Sequence, residues 1–185
     1  MGKPTPEQLL AQLADGHEAA YVALYRQFAE RLFRTAGTLL NRREDAEDAV
    51  QDVFTSLVRS RRQLRGVKDL SGYLFAALRH AAGRIAMRRE REHRQQWHEP
   101  PSCEVSRAST LLADRDAQHR AWLRESVARL PYEQREIIAL KIDGELTFAA
   151  IAQALNISPN TAASRYRYAL EKLRAAVSAE MKQLE

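Results

Sequence analysis

Cysteine occurs once in this chain, at Cys103, so no internal disulfide can form and a disulfide-stapled secreted scaffold is excluded. Long apolar runs are missing too. No stretch approaches the roughly 18 apolar residues of a membrane span, and the opening MGKPTPEQLL has no apolar core of signal-peptide length. A soluble, cytoplasmic chain without membrane insertion is expected. Glycine and proline, 7 and 6 in 185 residues, are scarce inside the periodic segments. Alternating β-branched runs and Asn-Gly hairpin signals are absent, which argues against a β fold. The histidines His17, His80, His93, His98 and His119 are scattered without metal-ligand spacing, and Cys103 has no CxxC partner. No cofactor, metal or catalytic constellation is therefore read. Cys103 with His93 and His98 is the one grouping that could be drawn into a metal site, and a solvated linker accounts for all three.

What is present is helical periodicity. It predicts helices near 6–14, 17–36, 42–63, 70–93, 114–129, 131–142, 147–155 and 159–182. Gln95 to Ala113 breaks the pattern with Pro100-Pro101 and Ser102, Ser106 and Ser109, the composition of a linker. The fold expected is all-α: two small helical domains, residues 1–94 and 114–185, joined by a flexible linker, 95–113. Lys plus Arg number 29 against 24 acidic residues, a net charge of +5. That excess permits nucleic-acid binding without demonstrating it.

The C-terminal segment Leu130 to Leu173 has the grammar of a helix-turn-helix. A short apolar helix, Thr147 to Leu155, is followed by a turn through Asn156 and Ile157, then Ser158 as N-cap and Pro159 at the first helical position. At about 100° per residue, Ala162, Tyr166, Ala169, Leu170 and Leu173 share the docking side of the second helix. Asn160, Thr161, Ser164, Arg165, Arg167, Tyr168 and Lys172 fall elsewhere. Hydroxyl, amide and guanidinium groups at the start of a groove-sized helix suit base edges and phosphates, so DNA is the natural ligand. The plainer account is an amphipathic helix with a solvated basic face. Tyr166 and Tyr168 do not read as DNA-cleaving tyrosines, since one falls on the docking side and the other on a groove helix.

Two N-terminal helices carry opposite charge. In Arg43 to Ser60, Ala46, Ala49, Val50, Val53, Phe54 and Leu57 form one arc, and Glu44, Asp45, Asp48 and Asp52 form an arc opposite it. Acidic first turns and charged outer faces are routine. In a basic chain with a DNA-reading helix, though, the stripe suits a basic protein surface. Arg79 to Arg94 holds six arginines against two glutamates, preceded by Tyr73 and Phe75. Such a helix can neutralise phosphates and stack unpaired bases. Equally, Tyr73, Leu74, Phe75, Leu78 and Ile85 can be core, with Arg88 to Arg94 a solvated helix end.

Together, DAEDAVQDVF at Asp45 to Phe54, DLSGYLFAALRHAAGRIAMRRERE at Asp69 to Glu92 and the C-terminal LPYEQREIIALKIDGELTFAAIAQALNISPNTAASRYRYALEKLR resemble the extracytoplasmic-function (ECF) group of bacterial sigma factors. The three segments resemble, in order, the polymerase-clamp helix of sigma domain two, that domain's melting and minus-ten helix, and sigma domain four. The resemblance implies a chain that binds core RNA polymerase and promoter DNA, with an anti-sigma factor as a further candidate partner. It implies that Glu44, Asp45, Asp48, Gln51 and Asp52 face the polymerase. Arg79, Arg84, Arg88 and Arg89 would lie near melted DNA, and Asn160, Thr161, Ser164, Arg165 and Arg167 would face the minus-thirty-five element. The sequence departs from the family pattern at Tyr73, where tryptophan is usual, at His80 for asparagine, at Arg84 for an acid, and at Ala163 for lysine. The rival reading is a helix-turn-helix repressor or activator that uses residues 1–95 for a ligand or for dimerisation.

A compact chain of this length has a radius of gyration of about 16 Å, whereas DNA elements two turns apart are separated by roughly 70 Å. The linker could extend to roughly 65 Å. The free protein is expected to be compact, or held by an inhibitor with its helices partly masked, and to be spread apart on the polymerase.

Overall fold

A computed structural model of the chain describes residues 6–95 and 115–183 as helices joined by short turns, with no strand among the described residues. The helices are α1 (Pro6–Asp15), α2 (Glu18–Leu40), α3 (Arg43–Arg59), α4 (Leu70–Gln95), α5 (Arg115–Ala128), α6 (Tyr132–Ile138), α7 (Phe148–Leu155) and α8 (Pro159–Gln183). A 3₁₀ turn, Arg61–Gly66, lies between α3 and α4, and a π turn, Ala139–Asp143, extends α6. The expected linker, apart from Gln95, lies outside the described residues, as do Cys103 and His98.

Local chemistry explains where the elements stop. Helix α2 runs past Gly37 and ends at Asn41, whose left-handed backbone (φ 57°, ψ 7°) lets its N–H bond the Gly37 carbonyl. The helix expected over 42–63 is broken at Ser60, because the chain tightens there into the 3₁₀ turn. That tightening buries Leu64 completely beneath α1, whose Leu9, Leu10 and Leu13 are buried with it.

The core of the N-terminal domain is made where α2, α3 and α4 meet, from Leu24, Phe28, Leu32, Val53, Leu57, Leu74, Phe75 and Leu78. Each such side chain contributes about 1.5–3 kcal/mol relative to leaving it in water. The C-terminal domain packs α6, α7 and α8 together, and its Ile137, Leu140, Ile151, Leu155 and Ala162 join the same apolar cluster. The two domains are closed on one another. Helix α2 meets the π turn, α4 lies along α7, and Leu39, Ala82 and Ala139 form a small shared cluster.

Candidate functional site

The helix-turn-helix is built from three local devices. The Thr147 hydroxyl accepts from the Ala150 N–H at 3.1 Å and starts α7. Asn156, at φ 54°, stops it, and the next N–H, of Ile157, bonds back to the Ala152 carbonyl. Ser158 then accepts from the Thr161 N–H at 3.0 Å and starts α8. Ala162 and Ala169 are buried and Tyr166 is half-buried, its ring 5.6 Å from that of Phe148. Asn160, Thr161 and Arg167 are exposed, while Ser164 and Arg165 are half-buried. Arg165 is held by Glu133 of α6 at 2.8 Å. The polar side of α8 is therefore open at Asn160, Thr161 and Arg167, whereas the Arg165 guanidinium is engaged by a carboxylate of α6.

The acidic and basic helices of the N-terminal domain face each other. Arg84 pairs with Asp52 at 3.1 Å, Arg88 with Asp48 at 3.7 Å and Arg89 with Asp45 at 2.8 Å. The sequence-level picture of one outward acidic arc is therefore corrected. Asp45 is buried, 2% exposed, beneath Arg89, which bonds it through Nε and Nη2. This hydrogen bond holds the Arg89 guanidinium above its ordinary range. A helical wheel registers polarity but not the crossing of α4 over that side of α3. Asp48 and Asp52 stay exposed with their partners, a class of ion pair worth about 0–1 kcal/mol. Glu44 is exposed beside Arg42, at 3.6 Å. Of the two accounts of α4, the core one holds for Leu74, Phe75, Leu78 and Ile85, which are buried. Tyr73 is partly buried against them.

Gln51 points the other way, into an open groove of about 620 Å³ between α2 and α3. Tyr25, Phe33, Val50 and Phe54 form its apolar lining, and Glu30, Thr55 and the Arg43–Glu47 ion pair its polar rim. Tyr25 is 57% exposed, with its ring 5.1 Å from that of Phe54. Among these, only Gln51 was singled out from the sequence as a partner-facing residue. Tyr25, Glu47 and Thr55 are not legible in the sequence as groove residues, because the groove needs two helices to exist. An exposed aromatic at Tyr25, off the α2 core stripe, was the available signal.

Arg79 is half-buried and ion-paired. Its Nε donates to Glu136 of α6 at 2.8 Å, and Glu136 is 3% exposed. Burial pushes the neighbouring Tyr132 phenol up, and the Glu136 carboxylate adds to that shift. Among the described residues, no group of three or more His, Cys, Asp or Glu side chains could hold a metal ion. No helix there is long and apolar enough to cross a membrane.

Comparison with known proteins agrees with this geometry. Residues 24–92 match the family model for Sigma-70 region 2, and residues 120–173 match that for Sigma-70, region 4. The ECF RNA polymerase sigma factor SigK of Mycobacterium ulcerans is 28% identical over 175 residues, covering 92% of each chain. SigK of Mycobacterium bovis is 26% identical over 172 residues, covering 91% of each. Among solved structures, CnrH in complex with the cytosolic domain of CnrY superposes with a TM-score of 0.68 at 19% identity, covering 94% of this chain and 97% of that one. The sigma factor RpoE from Bartonella quintana, in complex with the anti-sigma factor NepR, superposes with a TM-score of 0.67 at 19% identity, covering 85% and 96%.

Proposed function

This chain belongs to the ECF sigma factors, which bind core RNA polymerase, recognise promoter DNA and direct transcription initiation, and we propose how its residues divide that work. Residues 1–94 grip the polymerase and read and melt the minus-ten element, 95–113 link, and 114–185 read the minus-thirty-five element. The α2–α3 groove, with Gln51 at its edge and Tyr25, Phe33 and Phe54 inside, is the polymerase seat. Glu44, Asp48 and Asp52, away from the groove and paired with Arg42, Arg88 and Arg84, form a separate acidic face that a basic helical surface would meet by displacing those arginines. Asp45 is the pin that fixes α4 on α3. Arg84 and Arg88 are promoter-facing, and Arg79 becomes so once it leaves Glu136. Asn160, Thr161, Ser164, Arg165 and Arg167 present the duplex-reading face. The chain acts in the cytoplasm, performs no catalysis of its own, and is a target for an anti-sigma factor.

The observation that carries this reading is the capped helix of α8, with Asn160, Thr161 and Arg167 exposed, on the same chain as an apolar groove rimmed by Glu30, Arg43 and Glu47. Each reader alone is weak, because a few phosphate contacts give dissociation constants of roughly 10⁻⁴ to 10⁻⁶ M. Held on one polymerase, the second contact becomes intramolecular and affinity multiplies. Run-off transcription with core polymerase tests the whole. Phe54→Ala and Gln51→Ala should each weaken holoenzyme formation at least about tenfold while α8 still binds duplex DNA. Undiminished holoenzyme formation by both variants would remove the groove assignment.

A further inference from the structure

Most of the arginines expected to meet DNA are already held by a carboxylate. Arg79, Arg84, Arg88, Arg89 and Arg165 each face one within 4.0 Å. Arg167 is the exception among them. Its guanidinium carbon lies 5.5 Å from the ring centroid of Tyr168, and no acid pairs with it among the described residues. Tyr168 is 52% exposed. It belongs to no apolar cluster, so core packing does not account for an aromatic ring at this place on α8.

We propose that Tyr168 is a positioning residue for Arg167, and that the pair forms a phosphate clamp at the far edge of the duplex contact made by α8. The inference deepens the duplex-reading role given above to α8 and rests on it. A guanidinium over an aromatic face is drawn by the ring's negative π surface and keeps its full charge. A carboxylate partner would compete with phosphate for the same N–H donors, whereas a ring competes for none. Arg167 therefore meets an anion without first losing a partner. Its place along the helix says which anion. From Asn160 to Tyr168 the helix advances about 12 Å at about 1.5 Å per residue, and the major groove is about 12 Å wide. With Asn160 and Thr161 at the entering end, Arg167 and Tyr168 come to the groove wall, where the phosphates stand. Glu171, exposed one turn further on, marks the limit of the contact, because a carboxylate beside a phosphate strand repels it. Phosphate contacts fix register and carry no sequence information directly, so the clamp adds affinity equally on every sequence.

Fluorescence anisotropy of the full-length chain tests the clamp on two labelled duplexes across a potassium chloride series. One duplex is enriched from a random pool by the parent chain, and the other is its shuffled sequence. Tyr168→Ala should weaken both by the same factor, about two- to fivefold. Tyr168→Phe, which keeps the ring, should bind as the parent does. Arg167→Gln should flatten the slope of log affinity against log salt by about 0.9, the value for one phosphate contact on duplex DNA. In the Arg167→Gln background Tyr168→Ala should cost nothing more, an outcome that a merely structural tyrosine would not give. Both positions are exposed and alanine is a good helix former, so these variants keep the fold. Loss confined to the enriched duplex, equal loss in the Phe and Ala variants, or additive losses in the double variant would each overturn the clamp. A parent chain that enriches no sequence would instead count against the duplex-reading role of α8, and the salt slopes would still decide the clamp.

Discussion

At the level of single residues, the carboxylates of α3 look alike in sequence and differ in the structure. Asp45 is shut beneath Arg89, and breaking a charged hydrogen bond of this kind typically costs about 1.5–3 kcal/mol. Asp48 and Asp52 sit in exposed pairs of about 0–1 kcal/mol. Asp45→Asn should therefore lower the unfolding free energy in urea clearly more than Asp48→Asn or Asp52→Asn does. Polymerase affinity should show the reverse order once stability is matched. Equal destabilisation by all three would mean that Asp45 is not the pin. Residue chemistry was legible where it is local: Ser158, Thr147 and Asn156 do at the helix ends what their side chains suit them for. It was not legible where a side chain meets another element, as with Asp45 on Arg89 or Arg79 on Glu136, since nothing within a helical turn of either position records the partner.

Among the elements, α8 is set by its cap and α3 by its neighbours. Ser158→Ala removes the acceptor of the Thr161 N–H, which should cost about 1 kcal/mol. It should also fray the turn that carries Asn160 and Thr161, so minus-thirty-five duplex binding should weaken more than thermal stability suggests. Gel shifts beside a melting curve measure both, and an unchanged gel shift would place the reading contacts further along the helix. The 3₁₀ turn makes the opposite kind of prediction. Leu64 is wholly buried beneath α1, so Leu64→Ala should cost about 2–5 kcal/mol, with no direct loss of DNA contact. Periodicity predicted one helix across this turn because Arg61, Arg62 and Gln63 are good helix formers. The packing of Leu64 under α1, a non-local gain, outweighs that preference. The α2–α3 groove escaped sequence reading for a related reason: each helix supplies half of it, and each half alone is an ordinary amphipathic edge.

For the whole molecule the consequence is cooperativity. Two domains tethered by a linker would unfold independently, yet here Ile137, Leu140, Ile151 and Leu155 share one apolar cluster with Phe75 and Leu78. Neither domain can lose its packing without exposing part of the other, so the closed parent chain should melt in a single calorimetric transition. Arg34→Glu with Thr38→Glu should split that transition in two, with the smaller C-terminal domain melting first. It forfeits the contacts of its π turn and α7 with α2 and α4, and small domains bury the least surface per residue. A single transition retained in this variant, at a midpoint close to the parent's, would mean that apolar packing alone closes the molecule. The polar turn Asp143 to Glu145 would then be an ornament of the interface and not its fastening.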